Sequence, residues 1–456
     1  LSMSISSSAQ SICGCLVMCL SILRKETSTY VICVSYIRFM STIMPKTNRH
    51  KILNDPIYGF VTLRHAFTLD ILDHPFVQRL RRISQLGLSH LVYPGAVHNR
   101  FHHAVGSMFL MQEAIDSLRS KGVEITPQED EAVCFAILLH DVGHGPFSHA
   151  LEHSIVNEVQ HEDISSIIMD RLNIDFNGKL DLAIKIFKNK YKKKFLHQLV
   201  SSQLDMDRLD YLARDSFYSG VTEGKVGSER IIKMLSVVND QLVVEEKGIH
   251  SVEKFIVARR LMYWQVYLHR TVISAEHMLT LILRRAKFLT KNKVDVFASP
   301  ALSGFLQNDY DLQSFISNPK VLDYFCDLDD SDIYCAMKSW RYHDDKVLST
   351  LSARLLDRKL FRIELRSQPF TDREVNARIK SISDAWELTT DEASYFVSND
   401  TIQNQAYTPK GILIKYKDGS VLDFAEANDH LSLTHLTRQV VKSFLCYPKD
   451  IVKPKR

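Results

Sequence analysis

A charge bias is the first thing this chain lacks. Its 57 basic and 53 acidic residues leave a formal net charge of only +4 over 456 residues. Proteins that hold nucleic acid through charge carry a larger basic excess or a clustered basic stripe. Nucleic acid is therefore not expected as the main partner, while a compact anionic ligand stays open. CxxC pairs are missing among Cys134, Cys326, Cys335 and Cys446, which argues against a disulfide framework and for a reducing, cytoplasmic setting. The other half of the 8 cysteines, Cys13, Cys15, Cys19 and Cys33, falls near the start. There SICGCLVMCLSIL is apolar but short for a membrane span, and no Lys or Arg precedes it as in a signal peptide. No membrane partner is expected. Internal repeats and low-complexity blocks are absent too.

What is present is a globular composition, 45% hydrophobic, in a chain long enough for a large core and two domains. The opening LSMSISSSAQ differs from everything after it, and a fresh start stands at Met44 with MPKTNRHKILNDPIYG. Residues 1–43 are therefore expected to be an extension or a disordered tail. From Phe67 to Leu289 the apolar spacing is mostly helical, as in Ala104, Met108, Met111, Ile115 and Leu118. EDEAVCFAILLH becomes uniformly apolar, the pattern of a buried central helix. HALEHSIVNEVQHEDISSIIMDRL resumes helical spacing, KKFLHQLVSSQLDMDRLDYLARD reads as a further helix, and SVEKFIVARRLMYWQVYLHRTVISAEHMLTLILRRAKFL reads as one long helix. Before that last segment, SVVNDQLVVEEKG predicts a hairpin turning at Asn239 and Asp240. Past about Thr290, KLFRIELRS and GILIKYKDGSVLDF predict strands, the latter a hairpin around Asp418 and Gly419. The expected fold is mostly α: an all-helical core over 44–290, then a smaller α+β region over 291–456.

The chemistry-bearing residues collect where the buried helix ends, in AILLHDVGHGPFSH from Ala136 to His149. One core histidine is satisfied by one hydrogen bond; a cluster with an adjacent aspartate is not explained that way. Neutral imidazoles with carboxylates hold a divalent ion firmly and leave it Lewis acidic. Adjacent His140 and Asp141 offer one of each, about 100° apart around the helix end. His103 in NRFHHAVG and Asp207 in QLDMDRLDYLARD are the candidates for two further ligands, with His102 the ambiguous neighbour. Hydrolysis at such an ion also requires a proton for the leaving group and stabilisation of developing charge. Histidine titrates nearest neutrality, so His144, His149 and His161 are the candidates, with Glu152 available to orient one of them.

The strings KILNDPIYG, RLRRISQLG, YPGAVHNRFHHAVG, LLHDVGHGPFSH, QHED and MDRLDYLARD run in order from Lys51 to Asp215. Together they resemble the HD-domain phosphohydrolase superfamily, whose signature is H…HD…D. Within it the resemblance is closest to the branch of the SAM-and-HD-domain deoxynucleoside triphosphate triphosphohydrolase and its bacterial homologues. An HD dipeptide alone is common; HDxGHGPFSH with an upstream NRFxH and a downstream DRxDYxxRD is specific. The resemblance implies His103, His140, Asp141 and Asp207 as ligands of one divalent ion, with Mn, Fe, Mg, Zn, Co and Ni all compatible. It further implies that His144 and His161 contact or orient the attacked phosphate and that His149 protonates the leaving oxygen. Glu152 stands where the family normally has aspartate.

Asp207, Tyr211 and Asp215 recur every fourth residue, and Arg259, Tyr263 and Tyr267 form a second such ladder. Periodicity alone fits an ordinary amphipathic face equally well. The resemblance implies a nucleotide pocket: Arg100, Arg208 and Arg259 on the triphosphate, Gln85 and Asp215 at the sugar 3′-hydroxyl, Leu86 and Tyr211 against the sugar, and Tyr267 near sugar and base. Tyr263 replaces a histidine, Leu268 a glutamine and Arg208 a lysine of the animal enzyme, which leaves base preference open. Lys51, Asp73, Gln78 and Arg81 match residues that bind an activating guanine nucleotide, although Asp73 and Arg81 equally suit local capping and salt bridging. The implied assembly is a homodimer or homotetramer. The implied activity converts a deoxynucleoside triphosphate to deoxynucleoside and inorganic triphosphate. Its rivals are an HD phosphodiesterase or nucleotidase acting on another phosphate ester, and a non-catalytic nucleotide-sensing or nucleic-acid-binding HD protein. Three pocket arginines favour a polyphosphate over the first, and the complete ligand and histidine set weighs against the second.

Overall fold

A computed structural model describes residues 51–147, 154, 156, 159–409, 411–427 and 439–451. Residues 1–43, His149 and Glu152 lie outside the described residues. The described chain opens with an antiparallel hairpin, β1 (Ile52–Asp55) and β2 (Gly59–Thr62), with Ile52 opposite Thr62. Asp55 Oδ1 closes its turn by accepting from the amides of Ile57 and Tyr58 at 2.9 and 3.1 Å. Two short helices follow, α1 (Thr68–Leu72) and α2 (Pro75–Gln78), then a 3₁₀ turn over Arg79–Arg82.

The long helix α3 (Arg100–Ser120) starts at a capping box in which Asn99 accepts from the His102 amide and the His102 ring accepts from the Asn99 amide. That box turns His102 away from the neighbouring His103. α4 (Pro127–Leu139) begins with proline at its first position and a Thr126–Glu129 capping box. Its residues Val133–Leu139 are all buried, as an all-round apolar helix must be. It packs along α3 and ends at His140.

α5 (His161–Asp175) and α6 (Met206–Ser219) complete the site-bearing elements. The helix expected across KKFLHQLVSSQLDMDRLDYLARD is instead two, Lys194–Val200 and α6. Between them the Asp205 carboxylate accepts from the amides of Ser202 and Arg208 at 2.7 Å each. A side chain that satisfies backbone donors on both sides ends one helix and starts the next. At its other end α6 stops at Gly220, φ +76.

β3 (Leu235–Val238) and β4 (Gln241–Glu245) form the hairpin, with Asn239 and Asp240 both at positive φ, as a tight type I′ turn requires. The single long helix expected after it is also interrupted: α7 (Ile249–Met262) passes into a π-helical turn over Tyr263–Tyr267, and α8 (Arg270–Lys291) restarts after His269. His269 has an extended backbone and its ring accepts from the Thr271 amide at 3.2 Å, an N-cap inside an otherwise apolar run.

Beyond residue 291 more helices come first, among them α9 (Pro319–Asp327), α10 (Asp330–Trp340) and α11 (Lys346–Leu356). Then β5 (Arg362–Arg366), β6 (Ser398–Asn404) and β9 (Val440–Tyr447) form an antiparallel sheet in the order β5-β9-β6. β7 (Leu413–Lys415) and β8 (Val421–Asp423) extend the earlier hairpin, β7 pairing in parallel with β4. One apolar cluster runs from Val61 to Tyr447. The fold is mostly α, a helical core with a smaller α+β part. No helix among the described residues is long and apolar enough to cross a membrane.

Candidate active site

Three helices bring the acidic and imidazole groups together. α3 supplies His103, the end of α4 supplies His140 and Asp141, and the first turn of α6 supplies Asp207. His103 Nε2 lies 3.1 Å from Asp207 Oδ1 and 3.8 Å from Asp141 Oδ2. His140 Nε2 lies 3.3 Å from Asp141 Oδ1 and 3.5 Å from Asp207 Oδ1. Both Nε2 atoms are buried without a partner in hydrogen-bond geometry. Their other nitrogens are engaged: His103 Nδ1 donates to Asp210 Oδ2 at 2.7 Å, and His140 Nδ1 to the Ile137 carbonyl at 2.6 Å. Fixing Nδ1–H in this way presents Nε2 as the free lone pair, the arrangement of metal-bound imidazoles.

The electrostatics carry the same message. Burial opposes charge on His103, but the Asp207 and Asp210 carboxylates outweigh it and lift the imidazole to about 10. His140 is raised against its burial by Asp141 and Asp207. Asp141, beside His140 and His144, and Asp207, beside His103 and His140, are held well below the usual carboxylate range despite burial. Two partly buried carboxylates thus face two buried imidazole nitrogens, and the pocket demands positive charge. A divalent cation meets that demand and satisfies both orphaned nitrogens, so the donor set fits a metal.

Arg100, the first residue of α3, donates from Nη1 to Asp141 Oδ2 at 2.7 Å. His144 Nε2 approaches the other Asp141 oxygen at 3.4 Å. Its ring stacks on that of His161, the first residue of α5, with centroids 3.8 Å apart and planes at 19°. Burial, reinforced by the Arg100 guanidinium, drives His144 well below the ordinary imidazole value, so it is neutral near pH 7.

From Asp207 one face of α6 leads past the half-buried Tyr211 to the buried Asp215. Asp215 Oδ2 accepts from the Tyr267 hydroxyl and Oδ1 faces His98 Nε2, each at 2.8 Å. Tyr267 packs edge-on against Tyr211 at 6.1 Å and Tyr263 at 5.1 Å. The π-helical turn brings these tyrosines to the face of α6. Burial and Tyr263 raise the Tyr211 phenol, and burial and Asp215 raise that of Tyr267, so both stay protonated donors. The Gln85 amide donates to the His98 carbonyl at 3.0 Å, and Gln85 Oε1 is buried without a hydrogen-bond partner. Leu86 is half-buried against the core beside it. Arg208 pairs with Asp205, and Arg259 sits 5.8 Å from the Tyr263 ring centre with its Nε buried and unpartnered.

Of the remaining candidates, Gln78 and Arg81 are joined, Arg81 Nε donating to Gln78 Oε1 at 2.9 Å while its guanidinium lies 3.6 Å over the Phe101 ring. Asp73 is the exposed C-cap of α1. Lys51 is exposed at the start of the first hairpin, and no described side-chain hydrogen bond or ion pair joins it to the other three. Sequence reading did not single out Asp210, Arg214 or His98. Asp210 backs His103, and Arg214 pairs with Asp210 and Asp55 at 2.9 Å each. The i, i+4 spacing of Asp210 and Arg214 in DRLDYLARD was their one visible signal.

The family model of the HD domain matches residues 100–215, and that of the HD associated region matches 226–299. A solved phosphohydrolase from Bacteroides thetaiotaomicron superposes with a TM-score of 0.85 at 53% identity, covering 88% of this chain and 100% of that one. The chain belongs to the HD-domain phosphohydrolase family. Uncharacterized protein YwfO of Bacillus subtilis is 36% identical over 323 residues, 69% of this chain and 72% of that protein. A Dictyostelium discoideum protein named deoxynucleoside triphosphate triphosphohydrolase SAMHD1 homolog is 32% identical over 249 residues. The match takes in 50% of this chain and 48% of that protein, so the chain spans about half of that relative's length. HD domains bind a divalent metal, and the cluster of His103, His140 and Asp141, with donor atoms all within 4.8 Å, is where this HD phosphohydrolase can hold one.

Proposed function

We propose that this HD phosphohydrolase is a deoxynucleoside triphosphate triphosphohydrolase, with His103, His140, Asp141 and Asp207 holding one divalent ion. The observation that carries the reading is the face of α6. It leads from Asp207 at the cation-demanding cluster, past Tyr211, to Asp215, whose oxygens are both fixed by His98 and Tyr267. A carboxylate so oriented suits the 3′-hydroxyl of a sugar whose phosphate lies at the metal end, with the unsatisfied Oε1 of Gln85 proposed as the second partner of that hydroxyl. Tyr211 against the sugar leaves no room for a 2′-hydroxyl, which favours deoxyribose, and Leu86 closes the other side.

When bound, the ion supplies Lewis acidity at the α-phosphate, in whichever form (Mn, Fe, Mg, Zn, Co or Ni) the site is loaded. Arg208 and Arg259 grip the β- and γ-phosphates, and Arg100 steadies Asp141 and meets the α-phosphate. Neutral His144, stacked on His161, orients the phosphoryl oxygens. Water adds at the α-phosphorus, the bond to the 5′-oxygen breaks, and His149 protonates that leaving oxygen, with Glu152 orienting one of the histidines. The triphosphate leaves whole. Tyr263 and Tyr267 contact the base. Lys51, Asp73, Gln78 and Arg81 are proposed to take an activating guanine nucleotide in a cytoplasmic homodimer or homotetramer, with residues 291–456 serving assembly or regulation.

The test is product analysis with each dNTP and NTP, Mn²⁺ or Mg²⁺, with and without GTP, beside an Asp207→Ala control. Deoxynucleoside with intact triphosphate, absent in the control, is expected. Release of orthophosphate from monophosphates or cyclic nucleotides, with none of the dNTPs consumed, would replace this reading with the phosphodiesterase or nucleotidase alternative.

A further inference from the structure

Two peptide groups after Asp141, 142–143 and 144–145, are gripped by side chains from two other parts of the chain. Arg79 Nη2 donates to the carbonyls of Val142 and His144 at 2.9 and 2.8 Å. Between them, the Gly143 amide donates to Ser165 Oγ at 2.9 Å. Arg79 and Ser165 are both fully buried, at 0% exposure. The other arm of Arg79, Nη1, donates to the Leu328 carbonyl at 3.3 Å, and its guanidinium lies 5.0 Å over the Phe325 ring. None of the described ion pairs includes Arg79, so its charge is compensated by carbonyl dipoles and a ring face. Burying a guanidinium without a carboxylate is costly, and a methionine would fill the same space without that cost. The charge is therefore explained by what it holds.

Gly143 shows how close the loop must come. A Cβ there would lie 2.3 Å from the His161 carbonyl and 2.3 Å from the Ser165 amide. The loop is seated directly on the first turns of α5, and this seating stacks His144 on His161. Asp141 precedes the first gripped peptide, and His144 carries the last gripped carbonyl.

We propose that Arg79 and Ser165 are positioning residues for the hydrolysis: from opposite sides they clamp the backbone of residues 142–144 and so fix Asp141 and His144 relative to His161. Neither touches the substrate. The inference rests on the proposed reading in which His144 and His161 act at the phosphate.

The experiment uses the full chain loaded with Mn²⁺, comparing wild type with Ser165→Ala, Ser165→Thr, Arg79→Met and Arg79→Lys. Two readouts are taken: kcat and KM for the dNTP that wild type hydrolyses fastest, and hydrogen exchange of the amides from Val142 to Phe147. Loss of clamping is expected to lower kcat about ten- to hundredfold, since small misplacements of reacting groups have that effect. KM should stay within about threefold because Arg208, Arg259 and Asp215 are untouched. Exchange should accelerate in the loop and not elsewhere, and Ser165→Thr, which keeps the hydroxyl, should recover part of both. Ser165→Ala removes one hydroxyl and carries the test should Arg79→Met fail to fold. The proposal is overturned if Ser165→Ala keeps wild-type kcat and loop exchange, or if kcat and exchange change only with global unfolding. If wild type hydrolyses no nucleotide, the functional reading fails, while loop exchange still decides whether the clamp exists.

Discussion

Asp210 sits directly behind His103, accepting from its Nδ1 while Arg214 holds the other oxygen at 2.9 Å. It keeps the imidazole in one tautomer and raises the basicity of Nε2. Asp210→Asn is expected to lower metal affinity about 10- to 100-fold, read by titrating the metal-free protein with Mn²⁺; unchanged affinity would mean that His103 does not depend on this partner. The residues legible in the sequence were those whose chemistry is spelled locally: His140 next to Asp141, and Asp207 within DRLDYLARD. Arg79 and His98 were not legible. Arg79 works on Val142, His144 and Leu328, and His98 works on Asp215. Those are partners across the fold, and no local spacing encodes them.

Among the elements, the contact between α3 and α6 decides whether His103 and Asp207 face each other. Gly106, one turn past His103, leaves room for the Asp210–Arg214 pair of α6: a Cβ there would lie 2.1 Å from Arg214 Nη2 and 2.2 Å from Asp210 Oδ1. Gly106→Ala must push apart a buried ion pair. Overpacking of this kind costs about 1–3 kcal/mol, so a lower Tm together with weakened metal binding is expected in calorimetry of the metal-free and loaded protein. A variant as stable and as well loaded as wild type would show that the helices separate freely there. Helix periodicity located α3 and α4 well, because each carries one uninterrupted apolar pattern. It ran two pairs of helices together, because Asp205 and His269 stop the backbone by capping while the apolar spacing continues through the break. The tyrosines of the π-helical turn reach α6 because of that second break.

Across the whole molecule, the apolar cluster that supports the site extends from Val61 to Tyr447, and β7 adds to a sheet begun by β3 and β4. The mostly helical class was legible in the sequence because the long apolar spacings are local. The way the chain beyond residue 291 returns was not. Leu328 receives Arg79, the Ser84 amide donates to Asp330 Oδ2 at 2.9 Å, and β7 joins β4. Each contact links segments far apart in sequence.

In the proposed reaction water attacks the α-phosphorus and the triphosphate leaves intact. This is tested most directly by hydrolysing the preferred dNTP in ¹⁸O-water and locating the label by mass spectrometry. One ¹⁸O in the inorganic triphosphate and none in the deoxynucleoside is expected. Label on the deoxynucleoside 5′-oxygen, or in orthophosphate or pyrophosphate formed in place of triphosphate, would contradict it.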